Sequence, residues 1–150
     1  MRVEIDQSGK FEQLNTHTVI ACANGKEQTI FLSAAVKRRL TQKLRKTLVP
    51  RKDVIAVVFG VLVFILLEKL DRFPDVIVID EEYTGKEAVI RESLRKLILY
   101  KTKGRWKGSI RFKRVGKSSP AHRLAWKVYR AKRSIDTKRV SEKEVLRWWL

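Results

Sequence analysis

An unbroken run of apolar residues at positions 54–67 constrains the fold of this chain more than any other feature. The run is bounded by charged residues, Asp53 before it and Glu68 after it. A membrane-spanning helix needs about 17–25 such residues, whereas about 10–14 are typical of a helix buried within a domain. A helix that is apolar all round must be covered on several sides. The sequence therefore predicts a central helix packed on a sheet; membrane or partner-helix attachment through this run is the alternative.

The residues before this run predict three strands and a basic helix. Short apolar stretches bounded by turn-forming residues are typical of buried strands, and such stretches lie at residues 2–7, 16–23 and 29–33. The Asn-Gly-Lys sequence at 24–26 favours a hairpin between the second and third stretches. Residues 34–47 have helical spacing and a strongly basic face.

The second half of the chain alternates strands and helices. The expected elements are a strand at 75–80, a helix at 86–100, a strand at 109–115, a helix at 120–133 and a short helix after the capping box at 141–144. Hairpins followed by helical crossovers give a mixed sheet with helices on its faces. We therefore expect an α/β fold with a five-stranded mixed sheet, an antiparallel meander followed by parallel strands. Residues 1–135 would form this domain, and residues 136–150 would add a C-terminal helix packed on it.

Two aspartates, Asp6 and Asp80, close the first and fourth predicted strands. A carboxylate at the end of a buried strand lies where the sheet opens to a cleft. Divalent cations such as Mg²⁺ or Mn²⁺ prefer carboxylate oxygen as a ligand. If the two strands are neighbours and parallel, Asp6 and Asp80 form a metal site; the simpler alternative is that each aspartate caps a turn.

Charge indicates a partner for such a site. The chain carries a formal net charge of +18, and the charge is uneven: residues 1–100 hold 17 basic and 13 acidic residues, whereas residues 101–150 hold 17 and 3. This asymmetry is typical of a surface that binds a polyanion, most often the phosphate backbone of nucleic acid; solubility or an unspecific basic tail is the alternative. The candidate phosphate contacts are Lys103, Arg105, Lys107, Arg111, Lys113, Arg114, Lys117, Arg123 and Arg130.

Four aromatic residues, Trp106, Phe112, Trp126 and Tyr129, lie among these basic residues. Aromatic side chains can stack on nucleic-acid bases. Trp126 and Tyr129 also have helical spacing, which favours a place in the core.

Other classes of site are excluded or weakly indicated. The single cysteine, Cys22, lies in an apolar stretch and excludes an internal disulfide and a multi-cysteine zinc site. The seven glycines form no phosphate-binding loop, and His17 and His122 are too few for a zinc site. The N-terminus does not resemble a signal peptide, so we expect a cytoplasmic protein. Two asparagines, four glutamines and one methionine are typical of a heat-adapted protein.

Several short motifs resemble those of the ribonuclease H-like superfamily. The Asp-Gln-Ser-Gly sequence at 6–9 is similar to the Asp-Gly-Ser that ends the first strand of ribonuclease H, and Asp-Glu-Glu-Tyr at 80–83 is similar to its Asp-Ser-Gln-Tyr. Residues 121–125, Ala-His-Arg-Leu-Ala, resemble the Ala-Asp-x-Leu-Ala of its last helix. In type 2 ribonuclease H, Ile-Asp-Glu-Ala-Gly-Arg is similar to residues 5–10, and Ala-Lys-Val-x-Arg is similar to residues 126–130.

This resemblance implies metal-assisted hydrolysis of phosphodiester bonds by a cluster of three or four carboxylates. Asp6 and Asp80 match the first and third positions residue by residue. Asp53 matches a further position, at the start of the helix before the fourth strand, by position only; capping of the buried helix is the alternative role of Asp53. The fourth position falls on His122, or near Lys117 in the type 2 pattern, and neither is a carboxylate. Histidine can bind a metal or move a proton.

Three glutamates could replace the missing carboxylate: Glu81, Glu82 and Glu87. Glu82 lies on the same strand face as Asp80 only if the strand continues, and a helix N-terminus is the simpler place for Glu87. The resemblance implies a nucleic-acid-binding protein with Mg²⁺ or Mn²⁺ as cofactor, acting as a nuclease on RNA–DNA hybrid or structured DNA. The alternative is a non-catalytic binding module with an eroded site, and the apolar helix makes a homodimer plausible.

Overall fold

The structure, a computed structural model, describes residues 1–131 and 137–149. Its elements alternate much as the sequence predicts. They are β1 (Arg2–Ser8), β2 (Thr18–Ala23), β3 (Gln28–Leu32), α1 (Ala34–Leu44), a 3-10 turn (Arg51–Asp53), α2 (Val54–Glu68), β4 (Val76–Asp80), α3 (Glu87–Lys101), β5 (Ser109–Lys113), α4 (Pro120–Ala131), β6 (Thr137–Arg139) and α5 (Glu142–Trp148).

The six strands of the described residues form one mixed sheet in the order β5-β4-β1-β2-β3-β6. Strands β1, β2 and β3 are an antiparallel meander, β4 pairs parallel with β1, and β5 pairs parallel with β4. The predicted α/β class and the meander followed by parallel strands are confirmed. The expected count of five strands was wrong, because Thr137–Arg139 pairs parallel with β3 as a sixth strand.

Helix α2 is the central helix that the apolar run predicts. Eleven of its fifteen residues are buried, and it packs against α3, α5 and the sheet. Gly60 permits the close approach of α2 to α3, since a Cβ atom there would lie 2.8 Å from the Ser93 hydroxyl oxygen. Across residues 1–131 and 137–149, no helix has the length and apolar character that crossing a membrane requires.

Two apolar clusters lie on the two faces of the sheet. The larger cluster packs the sheet against α1, α2, α3 and α5. The smaller cluster lies under α4 and includes Phe31, Ala125 and Val128. Helix α4 packs across β1, β2 and β3. On β5, the side chains of Arg111 and Lys113 are exposed.

The ends of several elements follow their sequence signals. Ser33 caps α1 by accepting a hydrogen bond from the Val36 backbone nitrogen, at 3.1 Å, and Ser141 and Glu144 form the predicted capping box. Helix α1 ends at Leu44, earlier than expected. The expected end of α4 at residues 132–133 and the expected domain boundary at 135/136 lie outside the described residues. Helix α5 packs against α1 and α2.

Candidate metal centre

Strands β1 and β4 run parallel as direct neighbours, so their last residues meet at one edge of the sheet. Ile5 pairs with Ile79, and Asp6 and Asp80 each follow by one residue. Oxygen atoms of Asp6, Asp80 and Glu82 all lie within 4.8 Å of one another. The expectation that Asp6 and Asp80 lie close enough to share a cation is therefore confirmed in its geometry.

Glu82 joins this group through a turn and not through a longer strand. Strand β4 ends at Asp80, and the backbone then turns, with the Glu82 nitrogen donating to the Asp80 carbonyl oxygen at 2.9 Å. The sequence named Glu82 only as a substitute that required the strand to continue. That condition was wrong, because the turn by itself brings the Glu82 carboxylate beside Asp6 and Asp80.

Hydrogen bonds orient all three carboxylates. Asp6 Oδ1 accepts from the Gln7 backbone nitrogen at 2.8 Å, and Asp80 Oδ1 accepts from the Val115 backbone nitrogen at 2.9 Å. The Gln7 side-chain nitrogen donates to Glu82 Oε2. A carboxylate offers about four lone-pair sites, so these bonds fix the directions of the groups and leave oxygen lone pairs for a cation.

The electrostatics of the group favour a positive ion. Burial raises the pKa of Asp6 above its usual value, and the charge of Asp80 raises it further. Burial likewise raises the pKa of Glu82 to about 7, and the charges of Asp6 and Asp80 add to that effect. Among the ion pairs of the described residues, none joins a lysine or arginine to these three carboxylates. A divalent cation would neutralise this repulsion.

A second layer of polar side chains supports Glu82. The buried Gln7 side chain also donates to the Tyr83 hydroxyl oxygen, at 3.0 Å. The Tyr83 hydroxyl in turn donates to Glu12 at 3.2 Å, and its ring packs on Phe59 of α2. Burial raises the pKa of Tyr83 well above its usual range, so its hydroxyl stays a donor at neutral pH.

His122 lies in the first turn of α4, and its side chain contacts the carboxylate group at Asp6. Its backbone nitrogen donates to the Ser119 hydroxyl at 3.0 Å, which caps the helix. Its Nδ1 atom lies 2.8 Å from Asp6 Oδ2, and its side chain is 34% exposed. Beside an ionised Asp6, Nδ1 carries the hydrogen and donates the hydrogen bond to the carboxylate. The fourth position expected from the resemblance therefore contacts the carboxylate group.

The other acidic candidates do not join this group. Asp53 precedes α2 without a capping hydrogen bond from its side chain and instead forms an ion pair with Lys86 at 2.9 Å. It lines an open groove of about 680 Å³ together with Tyr100 and Trp148. Glu81 is exposed, and Glu87 accepts a hydrogen bond from the Gly85 nitrogen at the start of α3.

All nine basic candidates are exposed, and they divide by position. Because Ser109 pairs with Val76 at the start of β4 and Lys113 pairs with Asp80 at its end, only one end of β5 lies near the carboxylates. The basic residues before β5 are at its far end: Lys103, Arg105 and Lys107. The remaining six lie on β5, on the segment after it and on α4: Arg111, Lys113, Arg114, Lys117, Arg123 and Arg130.

The four aromatic candidates differ in how far their side chains are buried. Trp106 is buried and donates from its ring nitrogen to the Pro74 carbonyl oxygen at 2.8 Å. Phe112 packs against the main core beneath the Arg91 guanidinium group. Tyr129 packs against the smaller cluster, whereas Trp126 is 50% exposed. Helical spacing therefore predicted the core correctly for Tyr129 and wrongly for Trp126.

Taken as chemistry, the group is a set of carboxylate oxygens with one histidine at its border, which suits a hard divalent cation. No protein-family model matches the chain, and no curated protein matches it.

Proposed function

We propose that this protein is a divalent-metal-dependent nuclease of the ribonuclease H-like superfamily. The observation that carries the proposal is the meeting of Asp6, Asp80 and Glu82 within 4.8 Å at the ends of two parallel strands. Two of these residues match the motifs that suggested the superfamily, and the third supplies the carboxylate that Asp53 was expected to supply.

Asp6, Asp80 and Glu82 would hold Mg²⁺ or Mn²⁺ through their oxygen atoms. A bound divalent cation supplies Lewis acidity towards a phosphodiester and lowers the pKa of a bound water. Gln7 orients Glu82, and His122 orients Asp6 through the 2.8 Å contact.

The basic residues around the group support a nucleic-acid substrate. Arg111 and Lys113 are exposed on the half of β5 that pairs with Val78 to Asp80, and Arg114 is exposed just beyond it. Phosphate contacts of this kind position a nucleic acid without reading its sequence. The substrate is an RNA–DNA hybrid or structured DNA, and the protein acts in the cytoplasm.

The test compares wild type with Asp80→Asn and Glu82→Gln on hybrid, duplex and four-way-junction substrates, with Mg²⁺ or Mn²⁺ and with chelator. Each amide keeps the shape of the site and removes a charge that holds the cation, so both variants should lose cutting by at least about a hundredfold. Binding to the substrate should persist, because neither change removes a positive charge.

Two further aspartates provide matched controls. Asp71→Asn removes a charge from an exposed carboxylate, 92% exposed, that lies outside the group, and it should cut as wild type does. Asp53→Asn tests the residue that pairs with Lys86, and it should also cut. Equal cutting by Asp80→Asn and wild type would refute the proposed site. Loss of cutting in Asp53→Asn would show that Asp53 is also needed for the reaction.

His122 favours a second candidate, a non-catalytic nucleic-acid-binding module on the same fold. The resemblance implies a carboxylate at this position, and a histidine contributes no negative charge to hold a second cation. Tight binding by wild type, with no cutting of any substrate in Mg²⁺ or Mn²⁺, would establish this candidate over the nuclease.

A further inference from the structure

A row of four stacked rings runs from the sheet to the surface beside α4. Phe31 of β3 stacks on His17 with 5.1 Å between ring centroids, and His17 stacks on Tyr129 at 4.2 Å. Tyr129 stacks on Trp126 at 5.8 Å, with 14° between the ring planes. The row therefore connects strand β3, the loop before β2, and helix α4.

The inner part of the row is fixed in place. Phe31 is only 7% exposed and lies under the Arg139 guanidinium group. His17 Nε2 lies 2.8 Å from the Tyr129 carbonyl oxygen. Gly9 makes room for the Tyr129 ring, because a Cβ atom at Gly9 would lie 2.5 Å from that ring. The row cannot shift inward, so its outer ring is held at the surface.

The outer ring, Trp126, is unusual because it is half-exposed although it belongs to this fixed row. Exposing a tryptophan leaves a large apolar surface in water. The other three tryptophans of the described residues are covered: Trp106 is buried, Trp148 packs against Phe64, and Trp149 packs partly buried against the main core. Trp126 is thus a flat, rigid and accessible aromatic surface.

Trp126 lies near the carboxylate group, because it shares one side of helix α4 with His122. His122 and Trp126 are four residues apart on α4, which is about 6 Å along the helix axis and on the same side of the helix. His122 contacts Asp6. The Arg130 guanidinium carbon lies over the Trp126 ring, 5.9 Å from the ring centre, so an exposed and flexible cation is available at the aromatic surface for a phosphate.

We propose that Trp126 is the stacking platform for an unpaired nucleobase, on a single strand that passes the carboxylate group. The strand's place at the carboxylates rests on the proposed function. A base within a duplex is covered on both faces by its neighbours, whereas an unpaired base offers a free face. A stacking ring beside arginine in a strongly basic region matches the general chemistry of single-strand binding. Within the substrates of the proposed function, this selects structured DNA, or a hybrid with a single-stranded extension, whose unpaired bases lie next to the phosphate that is bound at the carboxylates.

The test measures binding in chelator, so that it does not depend on cutting. Fluorescence anisotropy gives the dissociation constants of a labelled octathymidylate and of an abasic strand of the same length and charge. Wild type should bind the octathymidylate about ten- to hundredfold more tightly, because only that strand has bases to stack. Trp126→Ala should bind both strands equally, and Trp126→Phe should keep most of the preference.

A neighbouring residue separates stacking from charge. Lys127→Ala removes an exposed cation next to Trp126 in sequence, so it should weaken binding of both strands by the same factor. A wild-type preference near one, or the same preference in Trp126→Ala, would overturn the stacking platform. Failure of wild type to bind either strand would also overturn it and would favour a protein partner for the exposed ring.

The outcomes of the two proposals are distinguishable. A strong preference for the octathymidylate with no cutting in Mn²⁺ leaves the stacking platform standing and removes the nuclease. Cutting by wild type with no preference for bases leaves the nuclease standing and removes the platform. Asp80→Asn should keep the preference, because the platform does not include Asp80.

Discussion

Gln7 is the residue that ties Glu82 to the sheet. Its buried side chain donates to both Glu82 and Tyr83, and its hydrogen bond lowers the pKa of Glu82 against the effect of burial. Gln7→Leu should therefore raise the pKa of Glu82 beyond about 7 and leave this carboxylate largely protonated at neutral pH. We expect Mn²⁺ affinity, measured by titration calorimetry at pH 7, to fall about ten- to hundredfold.

The loss should shrink at pH 9, where Glu82 is ionised in both proteins. Tyr83→Phe is the matched control, since it keeps Gln7 and its contact with Glu82 and removes only the hydroxyl between Gln7 and Glu12. A Gln7→Leu protein that binds Mn²⁺ as wild type does at pH 7 would mean that Glu82 is not a ligand.

Glu82 should also make the stability of the metal-free protein depend on pH. Its pKa is raised from 4.5 to about 7, so the folded chain holds this proton more tightly than the unfolded chain. The free energy of unfolding should therefore decrease as pH rises from about 4.5 to about 7, by about 1–3 kcal/mol. Asp6, whose pKa is also raised by burial, acts in the same direction.

Urea unfolding in chelator measures this effect. Glu82→Gln cannot ionise, so it should be more stable than wild type at pH 8 and about equally stable at pH 4.5. The difference should disappear when Mn²⁺ is added, because the cation stabilises the ionised wild-type group. A wild type that is more stable than Glu82→Gln in chelator at pH 8 would contradict the repulsion between these carboxylates.

Among the elements, helix α1 holds the loop between β1 and β2 through one buried lysine. Lys37 is fully buried, and its ammonium group donates to the carbonyl oxygens of Lys10 and Gln13 and to the Thr18 hydroxyl. Burial lowers its pKa to about 8, so at neutral pH its three protons match these three acceptors. The same loop carries Gly9 and His17, which support Tyr129.

Lys37→Met should remove this anchor. The Gln13 carbonyl oxygen and the Thr18 hydroxyl then lose the donated hydrogen bond, and the Lys10 carbonyl oxygen keeps only the bond from the Gln13 backbone nitrogen. We expect the free energy of unfolding to fall by about 2–4 kcal/mol, measured by urea titration at pH 7. Arg38→Met is the matched control, because exposed Arg38 donates to the Leu14 carbonyl oxygen of the same loop; it should cost less than about 1 kcal/mol. Equal losses in the two variants would show that burial of Lys37 does not matter.

Elements with a clear apolar pattern could be predicted from the sequence, and those without one could not. The five longer strands and the buried helix α2 follow from runs of apolar residues, and Asp6 and Asp80 follow from the ends of two such strands. Strand β6 has the sequence Thr-Lys-Arg and no apolar alternation, so only its pairing with β3 reveals it. Glu82 depends on the path of the turn after β4, and the exposure of Trp126 depends on which flank of α4 meets the sheet. The spacing of residues along the sequence predicts neither the path of this turn nor the exposure of Trp126.

At the scale of the whole molecule, the positive charge is concentrated in the last third of the sequence but spread over both ends of β5. Six candidate contacts lie on β5, after it or on α4, and three lie before it. If about six phosphates are contacted, log affinity should fall with log salt at a slope of about −5 on duplex. The residues near the carboxylates should account for most of this slope.

Two double charge reversals test this division. Lys113→Glu with Arg114→Glu lies at the end of β5 that pairs with Asp80, and Lys103→Glu with Lys107→Glu lies at the far end. The first pair should weaken binding more strongly and reduce the salt slope by about two, whereas the second should change both quantities less. Equal effects would indicate a binding surface that is not centred on the carboxylates.

The two outer strands of the sheet, β5 and β6, have a consequence for association between copies. Basic residues lie on both of these strands, Arg111 and Lys113 on β5 and Lys138 and Arg139 on β6. Open strand edges invite the growth of a sheet from one molecule into the next, and basic side chains there oppose it by mutual repulsion. A polyanion that neutralises these charges removes this protection. The protein should therefore cluster where the phosphate charge matches the charge of the protein, and an excess of either component should disperse it.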